Sequence, residues 1–299
     1  MTAPATQARG SNFLVTIGAE ETYGTAVTSG TTFYCQSCSV TGGRALTAPP
    51  LLGNGLHPIQ PQQGNYDVSG DLVIPFDLTT LTFLLPFMFP SNKFGSADVP
   101  SFSLAKHYPD LSANEFYVGC KFSTLKFSVG GTGDLVATFT VKGAATSATG
   151  PAKGTPAMPN LLQNGHATLA EGGSALAIGT QLDVAFDLTL DPDQFLIGGG
   201  FQRSRLDAGT VAATGNLKTI YTAGTLLAKG QAMTESSLAL TFTKAAAVLS
   251  FTWPRLVYRP KNPSVSTGKG LLVDLAFEAY KALDDTTTNT TCTVVLPTA

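Results

Sequence analysis

Apolar and polar residues alternate along most of this chain, which predicts a protein built mainly of β-strands. Between residues 182 and 191, every second side chain is apolar and would face a core, while Asp183, Asp187 and Asp191 would point outward. The segment 71–78 has the same pattern, with Asp71 and Asp77 on its outer side. Both segments therefore predict half-buried strands with an acidic outer face.

Two hairpins and one short helix are also predicted. Residues 123–129 and 135–141 flank a glycine-rich turn, and residues 237–242 and 248–253 flank a second turn at 244–247. The helix is expected at 79–89, where apolar residues share one face, and Pro86 limits its length. Residues 277–283 are ambiguous and favour a strand.

The second half of the chain resembles the first. The hexapeptide VSGDLV at Val68 is similar to ATGNLK at Ala213, and a hairpin of similar length follows each, opening at Ser123 or Ser236. The predicted helix at 79–89 has no obvious counterpart near residues 222–230, and the segments between the motifs differ. A diverged duplication is therefore one interpretation, and a single unit with a large insertion is the other.

The domain boundaries follow from this repeat. We predict a β domain at 13–145 and a second at 161–299, joined by a Gly/Ala/Pro/Thr-rich linker at 146–160. Residues 1–12 are polar and lack apolar periodicity, so we expect an N-terminal arm that is disordered in the free subunit and ordered on assembly.

Composition favours association and argues against a grip on nucleic acid. Charged residues make up 13% of the 299 residues, against about 25% in ordinary globular proteins. The net charge of −2 gives little self-repulsion, and Lys and Arg are too few for a phosphate-binding surface. The most apolar window, 81–89, is about half the length of a membrane-spanning helix, and no secretory signal begins the sequence. We therefore expect a chain made in a cytoplasm, with no membrane partner.

No residue pattern predicts catalysis. Cys35 and Cys38 have the CxxC spacing, but a structural zinc needs four ligands, and no second pair follows. His57, His107 and His166 fall in no acid–base motif, and no nucleophile elbow, phosphate-binding loop or HExxH occurs. We expect packing cysteines and no catalytic residue, metal or cofactor.

Five segments carry a resemblance to a known family by their order along the chain. They are EETYGT from Glu20, the strand at Val68 that runs into the apolar helix ending at Phe89, the hairpin after Tyr117, and the closing segments 249–256 and 270–279. In this order they resemble the major tail tube proteins of long-tailed (siphovirus-like) bacteriophages.

The resemblance implies a mainly β fold, with antiparallel β-sandwich domains flanked by a short helix. Inner sheets of neighbouring subunits would join into a closed β-barrel, and rings would stack into a hollow conduit for genome delivery. The subunit would belong to the virion tail, assembled in the host cytoplasm. Its partners would be itself, the tape measure, tail terminator and distal tail proteins, and DNA would pass through the lumen without specific binding.

The acidic residues acquire a second interpretation from this resemblance. Asp183, Asp187, Asp191, Asp71 and Asp77 would line the lumen and repel the passing DNA. The alternative is that they face solvent simply to keep the protein soluble.

The number of chains in a ring depends on the repeat. Duplicated tube domains predict a trimeric ring with pseudo-sixfold symmetry, whereas one tube domain with an insertion predicts a hexamer. The remaining alternatives are a tail-tip protein, a capsid decoration protein or a β-sandwich carbohydrate-active enzyme. The last requires paired carboxylates in an aromatic cleft, and the single tryptophan, Trp253, falls on the core side of its strand.

Overall fold

The computed structural model describes residues 7–49, 52, 57, 59–131, 134–222, 224–262, 270–282 and 290–297. Its strands are β1 (Leu14–Ala19), β2 (Thr31–Phe33), β3 (Ser37–Cys38), β4 (Thr41–Thr47), β5 (Gln62–Pro75), β6 (Phe102–Tyr108), β7 (Ala113–Gly130), β8 (Val136–Gly143), β9 (Ala145–Ser147), β10 (Ala167–Glu171), β11 (Ser174–Ala175), β12 (Gly179–Asp187), β13 (Ala212–Ile220), β14 (Ser236–Lys244), β15 (Ala247–Pro260), β16 (Leu272–Ala279) and β17 (Thr293–Val295). The α-helices in these residues are α1 (Leu78–Leu84) and α2 (Thr225–Gln231). The prediction of a mainly β, antiparallel protein is confirmed.

Strand β7 is shared by two sheets. Its residues 113–120 pair with β6 and β9, and β1 and β2 extend this sheet beyond β6. Its residues 121–130 pair with β8 on one edge and β12 on the other. Gly119, at φ +62°, lies where the strand leaves the first sheet for the second. Such a backbone conformation favours glycine because it has no Cβ.

The second sheet is long and crosses both halves of the chain. Its order is β4-β5-β8-β7-β12-β13-β16-β15-β14-β10-β11, with β3 beside β5 and β17 beside β15. We call it the long sheet. Among the described residues no pairing closes it on itself.

The strand pairings of residues 14–147 recur in the same order among residues 167–295. Strands β1, β6, β7 and β9 pair with one another as β10, β14, β15 and β17 do. Likewise, β4-β5-β8-β7 corresponds to β12-β13-β16-β15, and a helix follows both β5 and β13. The registers agree too, since Gly70 lies opposite Val141 and Gly215 lies opposite Phe277.

The structure corrects two details of the expected repeat. The motifs VSGDLV and ATGNLK hold equivalent registers, but the hairpin equivalent to β7–β8 is β15–β16 and not β14–β15. Helix α2 also lies within the segment where the sequence showed no counterpart of the first helix. Its signal was weak because only Leu226 and Leu227 pack against the core.

The predicted linker is attached to the molecule near its middle. Pro151 is buried. The backbone N–H of Ala152 donates to the carbonyl of Thr28 at 2.9 Å, and that of Gly154 donates to Oγ1 of Thr32 at 2.7 Å. This segment therefore packs beside β2 instead of forming a free connection.

The predicted N-terminal arm lies partly outside the described residues, which begin at Gln7. Its end is attached to the molecule, since the Arg9 backbone N–H and the Asn12 side chain donate to the carboxylate of Asp110 at 2.8 and 2.7 Å. These hydrogen bonds hold the pKa of Asp110 below its usual value. These contacts argue against disorder of residues 9–12, and the disorder of the free arm stays a prediction.

One apolar core extends through both halves. Phe186 of β12 contacts Phe89 and Phe94 of the first half, each with 5.0 Å between ring centroids. It also stacks on Trp253 of the second half at 6.0 Å. Trp253 is fully buried, as the alternation predicted. Because large aromatic rings contribute most to core burial, the packing of Phe186 against rings of both halves stabilises their contact.

Candidate functional site: the exposed face of the long sheet

One side of the long sheet covers the core, and the other side is open. Burial alternates residue by residue along β8, β12 and β16, as expected for strands with one solvated face. We call the open side the exposed face. Its polar members include Asp71, Thr124, Lys126, Ser128, Thr138, Thr140, Lys142, Gln181, Asp183, Asp187, Thr214, Asn216, Lys218, Arg259, Asp274 and Glu278.

Cross-strand pairing arranges this face in rows. One row crosses eight neighbouring strands, with the order Ser37, Val73, Thr138, Lys126, Ala185, Thr214, Glu278, Val257. It passes from the first half to the second between Lys126 of β7 and Ala185 of β12 without a gap. The two halves therefore contribute to one uninterrupted surface.

The middle of the exposed face is concave. A depression of about 600 Å³ is lined by residues of β7, β8, β12, β13, β15 and β16. Gly215, one of the lining residues, lies close to both neighbouring strands. A Cβ added to Gly215 would lie 2.5 Å from the Asp183 carbonyl oxygen and 2.5 Å from Cζ of Phe277. The surface is a broad, shallow trough.

Hydrogen bonds from polar side chains of the same face occupy two of its carboxylates. Oγ1 of Thr140 donates to Asp71 at 2.8 Å. Oγ of Ser128 and Nε2 of Gln181 donate to Oδ1 of Asp183, at 2.5 and 3.0 Å. These contacts fix both carboxylates on the sheet.

The predicted acidic residues do not all share this face. Asp71, Asp183 and Asp187 lie on it, pointing away from the core as expected. Asp191 lies beyond the end of β12, where its carboxylate accepts hydrogen bonds from the Asp193 backbone and the Gln194 side chain, and these lower its pKa. Its predicted position on the same strand is wrong, because β12 ends at Asp187 and the chain turns away.

Asp77 is the clearest error among the predicted site residues. Strand β5 ends at Pro75, and Asp77 is only 3% exposed. Its carboxylate accepts the backbone N–H groups of Thr79 and Thr80 at 3.4 and 2.9 Å, and also that of Asn160. Aspartate is a preferred N-cap because it satisfies donors that a helix start leaves free. That preference, which alternation ignores, explains its position.

The exposed face is nearly neutral. Its five carboxylates are accompanied by four cations, which are Lys126, Lys142, Lys218 and Arg259. Arg259 pairs with Glu278, and Lys218 lies 4.0 Å from Asp274. Sequence reasoning missed these basic residues, although each holds an outward position in a strand pattern. The outward carboxylates therefore share their face with nearly as many cations.

The other candidate residues have packing roles. Burial raises the pKa of Cys35 to about 12 and also raises the pKa of Cys38, so both thiols stay protonated and are poor nucleophiles or ligands. The buried His107 ring is hydrogen-bonded to Asn114 at 2.7 Å and to Thr16 at 2.9 Å. Within the described ranges, no cluster of three or more His, Cys, Asp or Glu side chains could bind a metal ion.

The helices of the described segments are short. None of them is long and apolar enough to cross a membrane.

The fold and this surface define a class: a mainly β protein with one wide, solvent-exposed sheet face that has edge strands at its margins. The family model for phage tail tube proteins matches residues 10–279, and the chain belongs to that family. It is thus a structural protein of a phage tail.

Two further comparisons add little to the family match. A chain of the anti-feeding prophage (AFP) baseplate, solved with 6-fold symmetry imposed, is 12% identical. The match covers 49% of this chain and 96% of that chain, with a TM-score of 0.34, too low to support an argument about fold. No curated protein sequence matches the chain.

Proposed function

We propose that this chain is the subunit of a tail tube, that its halves are two copies of one tube unit, and that three chains close each ring. The observation that carries the proposal is the row of eight strands on the exposed face, four from each half. Tandem placement of two equivalent four-stranded sheets in one chain gives two of six ring positions.

The recurrence of strand order supports the duplication. Both halves have the same four strand positions in the long sheet and a helix after the second. Both also have a β-bulge at the same place, between β6 and β7 and between β14 and β15. An insertion into one tube unit would give no reason for the shared bulge.

The dimensions of a closed ring agree with three chains. Three copies supply 24 strands, which at about 4.8 Å spacing and about 40° tilt give a circumference of about 150 Å and a backbone diameter of about 48 Å. A DNA duplex, roughly 20 Å wide judged from its groove depths, passes through such a ring. Six chains of the same sheet would double the diameter to about 96 Å by the same geometry.

In this arrangement the exposed face, whose middle carries the depression of about 600 Å³, lines the lumen. Its charges are nearly balanced, so the wall has little net attraction for phosphate. Asp71 and Asp183 point at the passing duplex while hydrogen bonds hold them on the sheet. DNA would then slide without specific binding. The rings would stack, with the tape measure, terminator and distal tail proteins as the other partners.

Negative-stain electron microscopy and sedimentation of the purified full-length protein test this proposal. We expect long hollow rods that form as the concentration is raised. Single capped rings would favour a tail-tip protein, and unassembled knobs would favour a capsid decoration protein. A chain that remains monomeric at every concentration would contradict the tube.

A further inference from the structure

The junction between β7 and β12 inside the chain is a strand pairing between the two halves. Leu125 lies opposite Phe186 and Lys126 lies opposite Ala185, with Leu188 N–H donating to the Ser123 carbonyl at 2.9 Å. In the equivalence between halves, β7 corresponds to β15, and β3 with β4 corresponds to β12. The same junction can therefore form once more, between β15 and the β3–β4 edge.

Both of these edges are open in the single chain. Within the described residues, β3 and β4 pair only with β5, on one side. The last residues of β15, from 257, pair with β16 on one side, and no described strand lies on the other. Unpaired edges attract further strands. They lie at opposite margins of the eight-stranded row, so they cannot pair within one flat sheet.

The register of the second junction follows from the first. Val141 and Phe277 are equivalent because they lie opposite the equivalent glycines, so Phe139 and Leu275, two residues earlier, are equivalent as well. Leu125 lies opposite Phe139, and Pro260 lies opposite Leu275, so Leu125 corresponds to Pro260. The residues that follow, Lys126 in β7 and Lys261 directly after the end of β15, are therefore equivalent.

The other edge follows in the same way. Thr41 lies opposite Ser69, and Ala185 lies opposite Thr214. Ser69 and Thr214 each precede one of the equivalent glycines, so Thr41 corresponds to Ala185.

A recess beside the open end of β15 supports a missing partner there. It has a volume of about 440 Å³ and is lined by Gly230, Met233, Val257, Tyr258, Arg259, Glu278 and Tyr280. The hydroxyl of Tyr258 is buried there without a hydrogen-bond partner. Buried polar groups normally have one. In the first half, Lys121 takes the place of Val257; it is only 5% exposed, and its ammonium pairs with Asp98 at 3.1 Å.

We propose that the end of β15 in one copy pairs antiparallel with the β3–β4 edge of a second copy, with Lys261 opposite Thr41 and Pro260 opposite Gly42. The inference rests on the proposed tube and names its subunit interface. Pairing of two different edges is head-to-tail, the kind of contact that generates rings when the rotation closes. Pro260 has no N–H, so this ladder has one hydrogen bond fewer than the internal one.

Disulfide trapping in assembled protein tests the register. The variant carrying Lys261→Cys and Thr41→Cys places two thiols opposite each other. The internal equivalent of this pair is Lys126 with Ala185. Bonded and non-bonded pairs alternate along the ladder, and because Ser123 with Leu188 is a bonded pair, Lys126 with Ala185 is a non-hydrogen-bonded one. Cβ atoms of such non-hydrogen-bonded pairs lie about 4.5–5.5 Å apart, close enough for a disulfide after a small shift. On oxidation we expect covalent dimers and trimers on non-reducing gels.

Three matched controls define the outcome. Lys126→Cys with Ala185→Cys should crosslink within one chain, which verifies that this geometry oxidises. Lys261→Cys with Gly43→Cys lies two residues out of register and should give at least tenfold less product. Each single variant measures the background from native cysteines.

The failures of the interface and of the tube can be told apart. Tubes that form normally, with the internal control crosslinked and the Lys261/Thr41 variant not crosslinked, would overturn the interface and leave the tube intact. Equal crosslinking in and out of register would also overturn it. Wild-type protein that never assembles would overturn both proposals.

Discussion

At the scale of single residues, the Glu20 carboxylate holds the bend at which β7 changes sheets. One oxygen accepts the backbone N–H of Gly119 at 2.9 Å and the hydroxyl of Ser103 at 2.8 Å, and the other accepts the N–H of Gly24 at 3.0 Å. The Tyr23 ring covers the same bend, since a Cβ on Gly119 would lie 3.0 Å from Tyr23 Cζ. Glu20 and Tyr23 are thus the structural centre of the EETYGT segment.

Replacement of Glu20 should weaken the fold. In Glu20→Ala, the Gly119 N–H loses its acceptor, and an unsatisfied buried donor costs about 1–3 kcal/mol. Glu20→Gln is the matched control, since it keeps one oxygen acceptor at nearly the same place and should lose less. Urea unfolding of the monomer, below the concentration of assembly, measures both. An unchanged midpoint for Glu20→Ala would contradict the assigned role.

The sequence predicted part of this residue-level picture. The EETYGT segment was singled out by resemblance, but its role could not be foreseen, because Gly119 is 99 residues away. Asp77 was placed on a strand because alternation continued through it, whereas helix capping decides its position. Local rules compete at such residues, and only the packed structure selects one.

At the scale of elements, one glycine in each half allows neighbouring strands to approach closely. A Cβ on Gly70, at φ +151°, would lie 2.5 Å from the Ser39 carbonyl oxygen, and one on Gly215 would lie 2.5 Å from that of Asp183. The two glycines hold equivalent positions on β5 and β13. The shared Gly in VSGDLV and ATGNLK therefore has a steric cause.

Alanine at either glycine should destabilise the protein. We expect Gly70→Ala and Gly215→Ala each to lower the free energy of unfolding by about 1–3 kcal/mol, the usual cost of overpacking. Gly64→Ala is the control on the same strand as Gly70, because its Cβ would meet only Ala45, at 3.4 Å or more. Thermal unfolding of the three variants distinguishes them. Equal melting temperatures would show that the close approach is unimportant.

Strands were more predictable than their ends. Alternation located parts of β5, β7, β8, β12, β14 and β15 because each has one face in the core. The ambiguous segment 277–283 overlaps β16 only at residues 277–279. Alternation extended β12 to residue 191, whereas the strand ends at Asp187 and the chain enters a long irregular segment. The apolar–polar alternation cannot show where β12 ends, because Leu188 and Leu190 remain buried beyond the last residue of the strand.

At the scale of the whole molecule, the halves are joined by more than the β7–β12 pairing. Arg203, from the segment between β12 and β13, donates to the Gly143 carbonyl and to Asp67 of the first half, both at 2.7 Å. Its side chain is only 7% exposed. A buried, bonded guanidinium of this kind fixes orientation. The two halves are therefore joined by a buried side chain as well as by strand pairing.

The way in which the two halves pair could not be derived from the sequence. The repeat indicated two similar units, but nothing in VSGDLV or ATGNLK says that β12 lies beside β7. The partner of an edge strand is set by long-range contacts such as Phe186 against Phe89 and Phe94. The structure gives the strand order of the long sheet across both halves, and this strand order supports the proposal of three chains in a ring.

The rotational symmetry of a tube cross-section tests this central claim most directly. Cryo-electron microscopy of assembled protein should show rings of three 31.0 kDa chains with 24 inner strands. The cross-section should look sixfold, but its exact symmetry should be threefold. The mass of a single ring gives the same count independently. Rings of six chains would contradict the account, because each chain would then contribute one tube unit instead of two.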